Sequence, residues 1–173
     1  DLLLAPMNRM HHLYLRADTE PGTMDEVYPD YQPVTLDPLV RQAVSHALDR
    51  TTLAGVQGAA VPNLVRVCAG YPEGFADKYY GEAAADAEYD PDAAKQLLVD
   101  AGYDPDGGNK PTVHFSSLTN QYGNEKEVAE VAAVMLTDAG FNVELEVLDN
   151  SAFSEQVHSP GNNRDVHLVT LGC

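Results

Sequence analysis

Apolar positions recur at helical spacing in three stretches of the chain. In the first, Leu39, Val40, Ala43, Val44, Ala47 and Leu48 fall on one face, while Arg41, Gln42, Ser45, Asp49 and Arg50 point elsewhere. Asp37-Pro38 opens this helix: the carboxylate accepts from an early N–H, and proline at the first helical position needs no donor. Thr51 to Val56 adds a turn or two before Gly58. Asp90-Pro91 repeats the same start, followed by an Ala94, Leu97, Leu98, Ala101 stripe and by Gly102, the left-handed residue that ends a helix. The third helix opens at Asn124, buries Val128, Val131, Ala132, Met135, Leu136 and Ala139, and stops at Gly140. Ser151 to Val157 reads as a short helix capped by Ser151.

Other stretches carry strand signals. One begins near Met10 and ends at Tyr14-Leu15-Arg16. Thr112 to Ser116 alternates weakly, Asn142 to Leu148 alternates strictly, and Asp165 to Leu171 is dense in Val and Leu. Asp18 to Pro33 is an irregular loop rich in Pro, Gly and acid. Ala59 to Ala87 has no period and is broken by Pro62, Gly70, Pro72, Gly74 and Gly81. So long a loop is unusual in a compact domain and is expected to be functional or to wrap the surface. Asp104 to Asn109 is a turn, Leu118 to Gly123 a loop, and Ser159 to Asn163 a turn. The last third is therefore strand, helix, strand, helix, strand, which predicts parallel neighbours joined by right-handed crossovers. The fold class is α/β, a small mixed sheet with flanking helices.

Length and charge narrow the function. The 173 residues make one domain, or one lobe of something larger, and 44% apolar content suffices for a core. With 27 acids against 10 Lys and Arg, the formal charge is −17. Unpaired charge is too costly to bury, so the acids lie on the surface. Nucleic acid and anionic membrane surfaces are disfavoured partners, since the few bases are scattered. Three sources of the charge stay open: solubility by self-repulsion, a saline setting that only four Lys would suit, and a cationic ligand. No apolar run approaches the roughly 20 residues of a membrane span. The chain opens on Asp1-Leu2-Leu3-Leu4 without a signal peptide and closes on an apolar run, then Gly172-Cys173. Both ends read as cut from a longer protein. Cys68 and Cys173 make no metal spacing and read as free thiols unless the fold joins them.

Little in the chain is chemically reactive. His11-His12 would point to opposite faces of a strand and cannot readily share an ion. His46, His114, His158 and His167 are isolated. No phosphate-binding glycine loop or nucleophile elbow occurs. Asp104-Pro105-Asp106-Gly107-Gly108-Asn109 resembles the start of a calcium loop, but Phe115 stands where the distal Glu is needed, so an acidic turn is the better reading. No catalytic residue, no metal and no cofactor is expected. Thr119-Asn120-Gln121-Tyr122 differs in kind. It follows a strand and precedes a helix, where open α/β sheets bind ligands. Its amides and ring suit a neutral polar ligand, with an ordinary polar loop as the alternative.

Four segments together carry a resemblance. They are Asp37-Pro38-Leu39-Val40-Arg41-Gln42-Ala43-Val44-Ser45-His46-Ala47-Leu48-Asp49-Arg50, Tyr89-Asp90-Pro91-Asp92-Ala93-Ala94-Lys95-Gln96-Leu97-Leu98, Ala101-Gly102-Tyr103, and Val143-Glu144-Leu145-Glu146-Val147. In order and spacing, from about Tyr14 to Gly172, the chain resembles the family 5 extracellular solute-binding proteins of the dipeptide, oligopeptide and nickel class of ABC importers. The resemblance implies a lobe of a periplasmic-binding-protein type II-like fold. Residues 1–173 would form the C-terminal large lobe of a two-lobed receptor, with Asp1 to Leu4 and Val169 to Cys173 as hinge segments. It implies ligand contacts at Thr119, Asn120, Gln121 and Tyr122, and at Gly172 and Cys173 where the family has Gly-Trp. Peptide-binding relatives place Arg-Pro-Tyr in the first of these loops. Thr119-Asn120-Gln121 replaces it here, which opens a sugar or oligosaccharide ligand beside the peptide. The Arg41 guanidinium would be a helix-surface charge pairing with a nearby acid. The implied partners are a small-molecule or peptide ligand and membrane permease subunits, with no nucleic acid, and the protein would be a monomer. The implied location is periplasmic or extracellular, with lipid anchoring of the longer protein. A ligand-sensing domain of a regulator is the rival class.

Overall fold

Helix starts marked by an acid and a proline are built by the same local bonds. In the computed structural model, which describes residues 9–15, 33–57, 88–119, 121, 123–158 and 166–172, Asp37 Oδ1 accepts from the Leu39 N–H at 2.8 Å and opens α1 (Pro38–Ala47). The next helix, α2 (Arg50–Gln57), extends the expected turns by one residue at each end. Asp49 opens it: its Oδ1 accepts from the Thr51 and Thr52 N–H groups at 2.9 and 3.3 Å, and its Oδ2 from the Thr52 hydroxyl at 2.6 Å. Asp90 Oδ1 accepts from the Ala93 N–H at 2.9 Å and opens α3 (Pro91–Asp100).

Helix ends are equally local in origin. After α3, Gly102 N–H donates to Val99 O and Tyr103 N–H to Leu98 O, both at 2.9 Å. After α4 (Glu125–Asp138), Gly140 and Phe141 repeat the pair of bonds to Thr137 O and Leu136 O at 3.0 Å. Both are Schellman closures, and they need a positive φ at the glycine, which is +90° at Gly102 and +100° at Gly140. A last helix, α5 (Asn150–His158), begins one residue before the cap expected from sequence. Asp149, not Ser151, closes its first turn, accepting from the Ala152 N–H at 2.9 Å. A carboxylate one residue ahead of the helix is the stronger acceptor for these unpaired donors.

Four strands form one mixed sheet in the order β1 (Arg9–Leu15), β4 (Val166–Gly172), β2 (Thr112–Leu118), β3 (Asn142–Leu148). The strand β2 runs parallel to both β3 and β4, while β1 lies antiparallel along β4. The chain thus leaves β2 for its neighbour β3, then crosses back over β2 to reach β4. Parallel pairing matches the crossover pattern, but β3 and β4 are not neighbours. Strand β2 also reaches Leu118, two residues past the expected end. Leu118 is buried, and the Thr119 N–H continues the ladder to Leu148 O at 2.8 Å.

The two faces of the β2–β3 pair differ. On one, Val113, Phe115, Val143 and Leu145 join α1, α3 and α4 in the main core with Val40, Val44, Leu98, Ala132 and Leu136. In α4 the buried stripe is Val128, Ala129, Ala132, Leu136 and Ala139. Ala129 replaces Val131 and Met135, which are half-buried. On the other face the first three directly paired positions are polar, and the last, Leu118 with Leu148, is apolar. Asn142 Nδ2 donates to Thr112 Oγ1 at 3.1 Å, and His114 Nδ1 lies 2.9 Å from Glu144 Oε2. Gln156 of α5 donates to Glu146 Oε2 at 3.1 Å on this side. Helices α4 and α5 therefore cover opposite faces, as successive right-handed crossovers in opposite directions require.

A short 3-10 turn, Val34–Leu36, precedes α1 and was not legible in sequence. Arg41 serves it. Its Nη1 donates to Thr35 O at 2.6 Å and Leu36 O at 2.9 Å, so carbonyls, rather than the expected acid, hold the guanidinium. The expected loops at 18–32 and 59–87, the turn at 159–163, the hinge segment at 1–4, and Cys68 and Cys173 lie outside the described residues.

Candidate functional site

Topology singles out one end of the sheet. The three parallel strands point the same way, so Leu118, Leu148 and Gly172 all close at their carboxyl ends. Strand β2 hands the chain to β3 on one side, and β4 lies on the other. Such a reversal at the carboxyl ends is where open α/β sheets take ligands. Leu168 pairs with Ser117, so β4 continues four residues past that level before it reaches Gly172. The 119–124 loop leaves β2 at the same end.

Of the residues predicted to touch ligand, Thr119 and Gln121 are exposed beyond the end of β2, and Gly172 is the last residue of β4. The fold thus brings Thr119 and Gly172 to one end of one sheet, although 53 positions separate them. Asn120, Tyr122 and Cys173 lie outside the described residues.

At the end of β2, polar side chains are buried on both faces of the strand, a feature that sequence patterns did not single out. Ser116, Ser117 and Glu125 are each fully buried. The Ser117 hydroxyl lies 3.2 Å from Leu118 O and 3.5 Å from the carbonyl of Glu125, which ties the last turn of the strand to the first turn of α4. Glu125 and Glu127 occupy that first turn, where negative charge complements the helix dipole. The only sequence sign of these buried residues was a Ser-Ser pair inside a strand and a Glu directly after the Asn at the helix start.

Elsewhere charge is spent locally. Lys95 and Asp106 pair at 2.8 Å, and Lys126 and Glu130 approach to 3.7 Å one helical turn apart. The Lys95 hydrogen bond and charge lower the Asp106 pKa, and Asp106 raises that of Lys95 in return. His46 Nδ1 lies 2.8 Å from Glu88 O, which fixes the chain as it enters α3. Among the described residues no group of three His, Cys, Asp or Glu side chains could hold a metal ion, and no helix is long and apolar enough to cross a membrane.

Comparison with known proteins agrees with this architecture. The sequence model of the bacterial extracellular solute-binding proteins, family 5 Middle, matches residues 4–172. A Brucella ovis protein named as an ABC transporter peptide-binding protein is 34% identical over 139 residues, which cover 77% of this chain and 24% of that protein. The chain thus spans about a quarter of the length of the curated relatives it matches. Among solved structures, the ABC transporter substrate-binding protein CtaP of Listeria monocytogenes superposes with a TM-score of 0.69 at 20% identity, over 96% of this chain and 30% of that one. The murein tripeptide-binding protein MppA of Escherichia coli gives 0.66 at 19% identity over 96% and 30%. Brucella suis NikA, solved with Fe(III)-EDTA, gives 0.64 at 17% identity over 95% and 31%. These likenesses establish a periplasmic-binding-protein type of fold, and with the family match over nearly its whole length the chain belongs to the bacterial extracellular solute-binding proteins of family 5.

Proposed function

We propose that this chain is one large lobe of the substrate-binding component of an ABC importer. The complete receptor takes up a peptide between two lobes, outside the cytoplasmic membrane, and presents the closed form to permease subunits. It works as a monomer, tethered by a lipid. Thr119, Asn120, Gln121 and Tyr122 contact the ligand from the end of β2, and Gly172 and Cys173 from the end of β4. The observation that carries this reading is the convergence of Thr119 and Gly172 at the carboxyl end of the parallel strands in a family 5 chain. Peptide is favoured over other polar solutes because the Brucella relative is named for peptide binding and MppA for a murein tripeptide. None of the relatives named above is named for a sugar.

No covalent step is required. Affinity arises when closure excludes water from a few directed hydrogen bonds and one stacked ring. Ligand shifts an existing open–closed equilibrium only by its preference for the closed form. The loop has no cationic side chain, so recognition here runs through amide and hydroxyl groups rather than an ion pair with the peptide carboxylate. Calorimetry of the full-length receptor with panels of tri- to pentapeptides and of oligosaccharides tests the reading. Micromolar or tighter peptide binding without sugar binding is expected. Sugar binding without peptide binding would overturn it.

A further inference from the structure

Asn124 stands at the position from which an Asn side chain normally caps its own helix. Here it makes no cap bond to α4. Its Nδ2 instead donates 3.0 Å to the carbonyl of Val56, 68 positions away. Val56 O is among the last four carbonyls of α2, which have no partner inside that helix. The side chain at the start of one helix therefore caps the end of another.

A second contact lies beside the first. An added Cβ at Gly123 would run into Gln57 Nε2 and stand 3.3 Å from Gln57 Cδ. The Gln57 amide thus lies directly on the Gly123 backbone, where a side chain would displace it and would also strain the φ of +157°. At the other end of the loop, the Thr119 N–H is fixed to Leu148 O. Residues 119–123 are therefore held at one end by β3 and at the other by the last turn of α2. Helix α2 packs on the core through half-buried Leu53 and Val56, and the Asn124 bond adds a polar tie at its end.

We propose that Gln57 and Asn124 are positioning residues for the loop after β2, so that the C-terminal turn of α2 fixes the Gly123 end of the segment that meets the ligand. The ligand part of this statement rests on the peptide reading above; the clasp itself does not. Three variants of the full-length receptor separate the two roles of Asn124. Asn124→Asp keeps an acceptor for its own helix and adds a charge suited to a helix start, but it has no donor for Val56 O. Gly123→Ala displaces the Gln57 amide, and Gln57→Leu removes the amide at similar volume.

Hydrogen exchange read by mass spectrometry over residues 118–124 should accelerate about tenfold in Asn124→Asp, a loss of local protection of about 1.4 kcal/mol. Exchange over residues 112–117 and the interior of α4, and the melting temperature, should stay at wild-type values. Gly123→Ala and Gln57→Leu should show the same local signature. Affinity for trialanine, used as the probe peptide, should fall about tenfold in parallel. Unchanged exchange over 118–124 in all three variants overturns the proposal. So does acceleration spread evenly through α4 with a lowered melting temperature, which would make Asn124 a helix-stability residue only. If wild-type receptor fails to bind trialanine, that bears on the peptide reading, while the exchange data still decide the clasp.

Discussion

Helices α3 and α4 end in the same closure, yet their glycines should respond differently to an added methyl group. Gly102 and Gly140 both hold a positive φ, at +90° and +100°. A side chain in left-handed backbone costs about 1–2 kcal/mol, so Gly102→Ala and Gly140→Ala share that loss. At Gly102 the new Cβ meets nothing within 4 Å. At Gly140 it collides with Pro105 Cβ and lies 2.9 Å from Pro105 Cα and 3.1 Å from Pro105 O. Pro105 is buried and the contact is mostly with backbone, so it cannot swing aside. Overpacking of this kind costs about 1–3 kcal/mol more. Gly108→Ala supplies the control, with no contact within 4 Å and no positive φ, and should be neutral or stabilise by up to about 1 kcal/mol. Urea unfolding of this chain, with a common m-value, orders the three. The expected order of loss is Gly108, Gly102, Gly140, with the last two separated by about 1–3 kcal/mol. Equal losses at Gly102 and Gly140 would refute the claim that the 104–109 turn is packed rigidly on the end of α4.

Three further outcomes follow from particular groups. The Thr52 hydroxyl bond, helped by the Thr52 and Thr51 N–H groups and opposed by desolvation, holds the Asp49 carboxyl below its ordinary 3.8. Since the folded pKa is the lower one, this stabilisation is full above 3.8 and is lost as pH falls through the folded value. Asp49→Ala should therefore cost about 1 kcal/mol at neutral pH, and its gap from wild type in melting experiments should close in acid. Phe115 is fully buried at the centre of the sheet, and Phe115→Ala should cost about 3–5 kcal/mol in urea unfolding. Added salt should raise the melting temperature through screening of the −17 balance, and identical melting at low and high salt would remove self-repulsion as a factor.

The parts of the fold legible in sequence were those set by local bonds. Asp37-Pro38 and Asp90-Pro91 announced helices because capping bonds span two or three residues. Gly102 and Gly140 announced their ends because only glycine takes that φ at low cost. Strand β3 was clear because its first residues alternate strictly, Asn142 and Glu144 out, Val143 and Leu145 in. The errors arose where a distant partner decides. Leu118 looked like loop, but β3 offers its last carbonyl to the chain beyond it. Arg41 looked free for an acid, but the turn at 34–36 folds its carbonyls under the guanidinium. Asn124 marked the start of its helix correctly, but its bond to α2, 68 positions away, has no local sign. The candidate site was legible as a place, since a polar loop after a strand and before a helix fixes where it lies. The neighbour relation of β4 to β2, which brings Gly172 to the same end, depends on a crossover that no local pattern encodes.

The central claim is that the loop at the end of β2 contacts a peptide held by the complete receptor. Its most direct test is peptide affinity of full-length wild type against a Thr119→Ala, Gln121→Ala double variant, measured by calorimetry with a peptide that wild type binds. Both side chains are exposed, so the substitutions should leave the melting temperature unchanged. Affinity should fall about tenfold or more, the worth of one or two directed hydrogen bonds. Wild-type affinity in the double variant would contradict it.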